Sequence, residues 1–213
     1  KNHLRTAVRI AVEGRDYFAP IKLDGAAKFL AEDANTRILG SATDLGVQIN
    51  KGKAWSPRLL SLKGIPGLSQ AKFSMGRFVV GANTSLANLR RACENKIPEF
   101  AEFLNIFASP QIKNVATLIG NVANGSPIGD TLPFLLVTDA ELHVRSWREQ
   151  KRHERTIKFQ DFFKGYKKFE IAPDELITHL SFAAPTRAQQ LILLKASQRK
   201  DLDISAVSGA FLI

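Results

Sequence analysis

The chain has 213 residues, with 30 Lys and Arg against 20 Asp and Glu, a formal net charge of +10 and a sequence pI near 9.9. A hydrophobic share of 45% and a charged share of 23% exclude a disordered tail or collagen-like fibre and allow a buried core in one or two domains. The single cysteine, Cys93, excludes a disulfide scaffold and a cysteine-held zinc or iron–sulfur site within the chain.

Lys1 to Arg15 has no apolar run with a cleavage-site pattern, and no stretch reaches membrane-spanning length, so a cytoplasmic protein is expected. Leu23 to Ala31 has helical spacing and Arg37-Ile38-Leu39 reads as a short strand. Gly40 to Gly46 (GSATDLG) reads as a small-residue turn that exposes backbone N–H groups. Arg58 to Leu62 is a second strand, followed by a turn at Lys63 to Gly67. This order predicts a small βαβ-like subdomain in residues 1–70. Lys72 to Val80 alternates as one strand ending at Gly81. Asn83-Thr84-Ser85 caps a helix with Leu86, Leu89, Cys93 and Ile97 on its apolar face. Phe100, Phe103, Leu104 and Phe107 form a second helical stripe, read as a buried face. Cys93 reads as a core residue, not a nucleophile. Glu141–Ser146, Glu154–Phe159, Glu175–Phe182 and Leu191–Ser197 are expected strands of an antiparallel sheet, and Ala206 to Ile213 looks like an unfinished one. The expected fold is α+β with two subdomains, residues 1–70 and 71–190, and a ligand cleft between them. Residues 191–213 are expected to lead into a C-terminal domain that is truncated.

Familiar catalytic motifs are missing. There is no G-x-G-x-x-G, and Gly46 to Lys53 fails the P-loop spacing. No G-x-S-x-G or H-E-x-x-H occurs, and the four histidines are scattered, two of them (His143 and His179) in strand-like segments. The most unusual stretch is Ser109 to Asp130, which reads as neither helix nor strand and is dense in Gly, Asn, Ser and Thr. Its composition leaves two readings open: a long structural loop, or a backbone contour round a polar ligand, where Gly permits close approach and Asn, Thr and Asp supply hydrogen bonds.

Val115 to Pro133 (VATLIGNVANGSPIGDTLP) resembles the FAD-binding segment of the molybdenum hydroxylase flavoproteins, and most of all the flavin portion of bacterial xanthine dehydrogenase small subunits. Ile38 to Gly46 resembles that family's first phosphate-binding turn. Phe163 to Lys168, Asp174 to Ile177 and Leu194 to Ile204 resemble later landmarks, in matching order and spacing. The resemblance implies that Leu39, Gly40, Ser41, Ala42, Thr43, Asp44 and Leu45 surround the FAD pyrophosphate. It places Thr117, Gly120, Asn121, Asn124, Ser126 and Asp130 along the cofactor, with Asp130 accepting from its hydroxyls. Phe107 corresponds to an adenine contact, Ile177 to an apolar contact and Lys195 to a cation beside the isoalloxazine. Tyr166 and the loop with Asp201 and Leu202 match the NAD side. Ser41-Ala42 stands where the family commonly has Gly-Gly, so a positive φ there would be strained, and Ile119 stands where Gly is frequent.

The implied function is electron transfer from iron–sulfur clusters through FAD to NAD in a xanthine dehydrogenase-like oxidoreductase. The [2Fe–2S] clusters and the molybdopterin are expected on other domains or subunits of the same enzyme, which are the implied partners. The rival readings are the FAD subunit of a carbon monoxide dehydrogenase or aldehyde oxidase, a nucleic-acid module suggested by charge alone, and a truncated flavin fold serving only in assembly. Half of the positive excess lies in Trp147 to Lys168, with eight basic residues against three acidic. That segment reads as a solvated face or a contact with an acidic sister subunit.

Overall fold

A computed structural model describes residues 6–53, 56–199 and 203–213. The chain opens with a hairpin of β1 (Val8–Val12) and β2 (Arg15–Ala19), then α1 (Leu23–Ala31), β3 (Arg37–Leu39), α2 (Thr43–Asn50) and β4 (Arg58–Ser61). These strands form one sheet in the order β1-β2-β4-β3, in which β4 runs parallel to both β2 and β3. Parallel neighbours need crossover connections, and α1 and α2 lie on them. The β1–β2 hairpin and α2 go beyond the sequence expectation: the supposed turn at Gly40 to Gly46 is only three residues long before α2 begins at Thr43.

The second part begins with β5 (Ala71–Ser74) and β6 (Arg77–Gly81), so the single strand expected over Lys72 to Val80 is a hairpin. It turns at Met75-Gly76, with φ of 49° and 75°, and Met75 is wholly exposed. Five helices follow: α3 (Leu86–Cys93), α4 (Pro98–Ile106), α5 (Pro110–Val115), α6 (Leu118–Asn124) and α7 (Thr131–Val137). Then come β7 (Glu141–Arg148), β8 (Lys151–Lys158), α8 (Phe159–Phe162), β9 (Phe163–Gly165), β10 (Lys168–Phe169), β11 (Leu176–Ala183), β12 (Leu191–Ala196) and β13 (Val207–Leu212). The main sheet is antiparallel in the order β5-β6-β11-β7-β8, while β9–β10 and β12–β13 are separate two-stranded ribbons.

The stretch from Ser109 to Asp130 is therefore not a loop. Ser109 caps α5 by accepting from the Ile112 N–H at 3.2 Å, with Pro110 at the first helical position. Thr117 caps α6 by accepting from the Gly120 N–H at 2.9 Å. Gly125 ends α6 in the left-handed conformation, φ 55°, where an added Cβ would lie 2.4 Å from the Phe169 ring. In α3, Ser85 is the residue of the expected cap that accepts from the helix, and Ile97 falls beyond the helix end, at the start of α4. It is nevertheless fully buried with Leu86, Leu89 and Cys93.

The core lies between the main sheet and the helices. Phe100 of α4 stacks on Phe134 of α7 with ring centroids 3.7 Å apart, and Phe182 of β11 meets both edge-on. α1 joins the first sheet to the second: Arg145 of β7 donates to Asp24 at 2.9 Å, and the Lys28 ammonium lies 4.2 Å from the centre of the Trp147 ring. No helix among the described residues is long and apolar enough to cross a membrane.

Candidate functional site

The N-terminus of α2 and the body of α6 face a shared cavity of about 690 Å³, within the ~300–1,000 Å³ range of ligand pockets. Gly40 brings the two walls together, for a Cβ there would lie 3.6 Å from the Thr117 hydroxyl. At Gly120 the space is smaller: a Cβ would lie 2.9 Å from the same oxygen, which is already bound to the Gly120 N–H. A side chain at either glycine would also narrow a cavity that both residues line.

The turn before α2 has the geometry that the Ser41-Ala42 departure raised. Ala42 sits in the left-handed region at φ 58°, ψ 18°, and no side chain caps the helix. The first helical bond runs from the Gly46 N–H to the Ala42 carbonyl at 2.7 Å, so the N–H groups of Thr43, Asp44 and Leu45 precede the helical ladder. Successive N–H groups beside a left-handed residue form a concavity suited to anions, reinforced by the helix dipole.

Of the residues singled out in the sequence, Gly40, Ser41, Ala42, Thr43, Asp44 and Leu45 line the cavity from one side. Phe107, Thr117, Gly120, Asn121 and Asn124 line it from the other. The Asn121 side-chain oxygen accepts from the Thr131 hydroxyl at 2.6 Å, which leaves the side-chain amide N–H groups as donors. Leu39 ends β3 just before the turn, and the Ser126 hydroxyl accepts from the Ile128 N–H at 3.4 Å. Ile177 is buried in β11, and Tyr166 is 79% exposed on the β9–β10 turn. Asp201 and Leu202 lie outside the described residues.

Asp130 and Lys195 do not line the cavity. They form a buried ion pair at 2.6 Å, with side chains 5% and 3% exposed. The Ser205 hydroxyl donates to the other Asp130 oxygen at 2.5 Å, and the Lys195 ammonium also donates to the Asp203 carbonyl at 3.0 Å. Each Asp130 oxygen thus has an internal partner. The sequence reading did not single out Arg37, Gln48, Ile112, Lys167 and Phe169, which also line the walls. Lys167 and Phe169 reach the cavity only through the β9–β10 ribbon, which no local pattern ties to α6.

Cys93 does not line the cavity, and burial pushes its thiol up to about 12. Among the described residues no group of three His, Cys, Asp or Glu side chains could hold a metal ion.

Residues 10–185 match the family described as the FAD binding domain in molybdopterin dehydrogenase. Xanthine dehydrogenase of Drosophila pseudoobscura pseudoobscura is 29% identical over 206 residues, covering 91% of this chain and 15% of that protein. Nicotinate hydroxylase hnxS of Emericella nidulans is 29% identical over 214 residues, covering 91% of this chain and again 15% of that protein. The structure of reconstituted CO dehydrogenase from Oligotropha carboxidovorans superposes with a TM-score of 0.85 at 22% identity, covering 95% of this chain and 70% of that chain. The fold is thus that of the flavin domains of molybdenum hydroxylases. The chain belongs to the family of FAD-binding domains of molybdopterin dehydrogenases. It spans about 15% of the length of the curated relatives it matches.

Proposed function

We propose that this chain holds FAD in the cavity between α2 and α6 and passes electrons to NAD within a xanthine dehydrogenase-type enzyme. The observation that carries the reading is the meeting of an uncapped helix N-terminus with a Gly-, Thr- and Asn-lined helix across one cavity. The residues present fit the cofactor. The N–H groups of Thr43, Asp44 and Leu45 suit its pyrophosphate, and the bare backbone at Gly40 and Gly120 admits a close approach. Asn121 and Asn124, whose side-chain oxygens accept from Thr131 and Lys167, offer amide N–H donors to its hydroxyls. Phe107 and Ile112 give its adenine end an apolar surface.

When bound, FAD supplies the ability to accept electrons singly and deliver them in pairs. The protein's share is placement. In this reading, the Asp130–Lys195 pair holds the end of the β12 strand against the start of α7, whose Thr131 in turn holds the cavity-lining Asn121. Tyr166, exposed beside the cavity-lining Lys167, is on the side open to NAD. Iron–sulfur and molybdenum sites belong to other domains or subunits of the same enzyme, which are the proposed partners. The similarity to both xanthine dehydrogenases and a nicotinate hydroxylase fits a shared electron-transfer part, with substrate choice made elsewhere.

The purified protein tests this directly. It should be yellow, with flavin absorption bands, and should release FAD and not FMN on denaturation. A colourless protein that also fails to take up added FAD would falsify the reading. With an artificial electron donor, Tyr166→Ala should lower NAD reduction while FAD stays bound; an unchanged rate would remove Tyr166 from the NAD side.

A further inference from the structure

The β9–β10 turn carries a lysine in a conformation that favours other residues. Lys167 has φ 55°, in the left-handed region where Gly and Asn are at ease and a long side chain is not. Its ammonium reaches the end of α6, donating to the Asn124 backbone carbonyl and, at 3.3 Å, to the Asn124 side-chain oxygen. Both residues line the cavity, where the ionisable groups among the described residues are Arg37, Asp44 and Lys167. The same ribbon places the Phe169 ring against Gly125, the residue that ends α6.

These contacts have two consequences. A cation at a helix C-terminus satisfies a carbonyl that has no intrahelical donor and complements the helix dipole. With its side-chain oxygen held by Lys167, Asn124 keeps its amide N–H groups for another acceptor. The ammonium also adds positive charge to a cavity that an anionic dinucleotide would enter.

We infer that Lys167 is a positioning residue for the ligand of this cavity: it fixes the Asn124 amide as a donor, pins the β9–β10 ribbon to α6, and speeds capture of a diphosphate-bearing ligand. This rests on the FAD reading above. The left-handed backbone at Lys167 supplies the sharpest test, because Asn suits that φ better than Lys yet is too short to reach α6. Lys167→Asn should therefore keep the turn and lose the tether. Lys167→Met removes the charge at similar length, and Lys167→Arg keeps it.

FAD release can be followed by the rise in flavin fluorescence on dilution, and capture by mixing apoprotein with FAD at increasing salt. The expected result is release about tenfold faster in Lys167→Asn and Lys167→Met, as for loss of one charge-assisted hydrogen bond. Lys167→Arg should stay within about twofold of the parent. The salt dependence of capture should weaken in the two uncharged variants, with the apoprotein unfolding midpoint of Lys167→Asn unchanged or raised. Release and salt dependence equal to the parent in all variants would overturn the inference while leaving FAD binding intact. So would faster release that tracks a lowered midpoint in Lys167→Arg as well, because that is a packing effect. A parent protein that takes up no FAD removes this inference together with the reading beneath it.

Discussion

Replacing Asp130 by Leu isolates the Lys195 ammonium in an interior where its side chain is 3% exposed. The Ser205 hydroxyl loses its acceptor at the same time, and among the described residues the Asp203 carbonyl is left to accept from the cation. Removing one member of a buried pair costs about 3–5 kcal/mol, against a total stability of about 5–15 kcal/mol for a typical domain. Lys195→Met leaves a carboxylate with Ser205 alone and should cost a similar amount. The double variant Asp130→Leu with Lys195→Met removes both charges and should recover most of the loss, since an apolar pair of similar volume is often as stable as a buried ion pair. Urea unfolding of the four proteins gives the coupling, with unchanged slopes required for the comparison. A non-additivity above about 2 kcal/mol is expected. Single losses below about 1 kcal/mol that simply add would refute the idea that this pair bears on the fold, and would free Asp130 to act as a direct acceptor for the cofactor.

Three further outcomes are expected. Ala42→Gly should raise stability by about 1 kcal/mol, because glycine carries no penalty at φ 58°, and should leave FAD affinity equal or higher; thermal unfolding and FAD titration measure both. Cys93, with its thiol raised to about 12, should resist alkylation at pH 8 in the folded protein and react at once in denaturant. The His179 value is lowered by burial first, and also by the neighbouring His143, Arg145 and Lys72, against a smaller opposing effect of Glu154. The unfolded chain therefore binds the proton more readily, so stability should fall as pH drops through about 6.5, the ordinary histidine value. His179→Gln should flatten that part of the unfolding profile.

The elements that the sequence revealed are those with enough residues to show a period. β7 alternates buried and half-buried residues from Glu141 to Trp147, β11 is an apolar run buried along most of its eight residues, and Phe100, Phe103 and Leu104 mark one face of α4, with Phe107 just past its end. α5 and α6 have six and seven residues, too few for an apolar stripe to stand out, and so Ser109 to Asp130 read as a loop. Their boundaries were nonetheless written in the chain: Ser109 before Pro110, Thr117 three residues before Gly120, and Gly125 after Asn124 are start and stop signals. The same residues served both readings, because a cap uses the small polar side chains that a ligand contour also uses. Contacts at long sequence separation had no local trace. Lys167 to Asn124 spans 43 residues and Lys195 to Asp130 spans 65, and the resemblance alone placed Asp130 and Lys195 near the cofactor without disclosing that they bind each other.

The charge of the chain illustrates how a sequence count changes meaning once partners are known. Trp147 to Lys168 holds eight basic residues against three acidic, but the next seven residues add Glu170, Asp174 and Glu175 and no base, so the segment to Glu175 carries a net of only +2. Those carboxylates are where the cations go: Arg148 pairs with Asp174 at 2.6 Å, Arg155 with Glu175 at 2.7 Å and Lys164 with Glu170 at 3.5 Å. Burial would raise the Glu175 carboxyl, but the Arg155 guanidinium and the Ala172 N–H hold it below its ordinary value. Part of the hairpin's positive charge is thus matched within its own fold. Lys167 alone of that segment turns its charge to the cavity wall, alongside Arg37 from the first sheet. A net excess spread over the whole chain says little about a ligand; two cations on the rim of one cavity, set against Asp44 as the single carboxylate there among the described residues, give a diphosphate a local reason to bind.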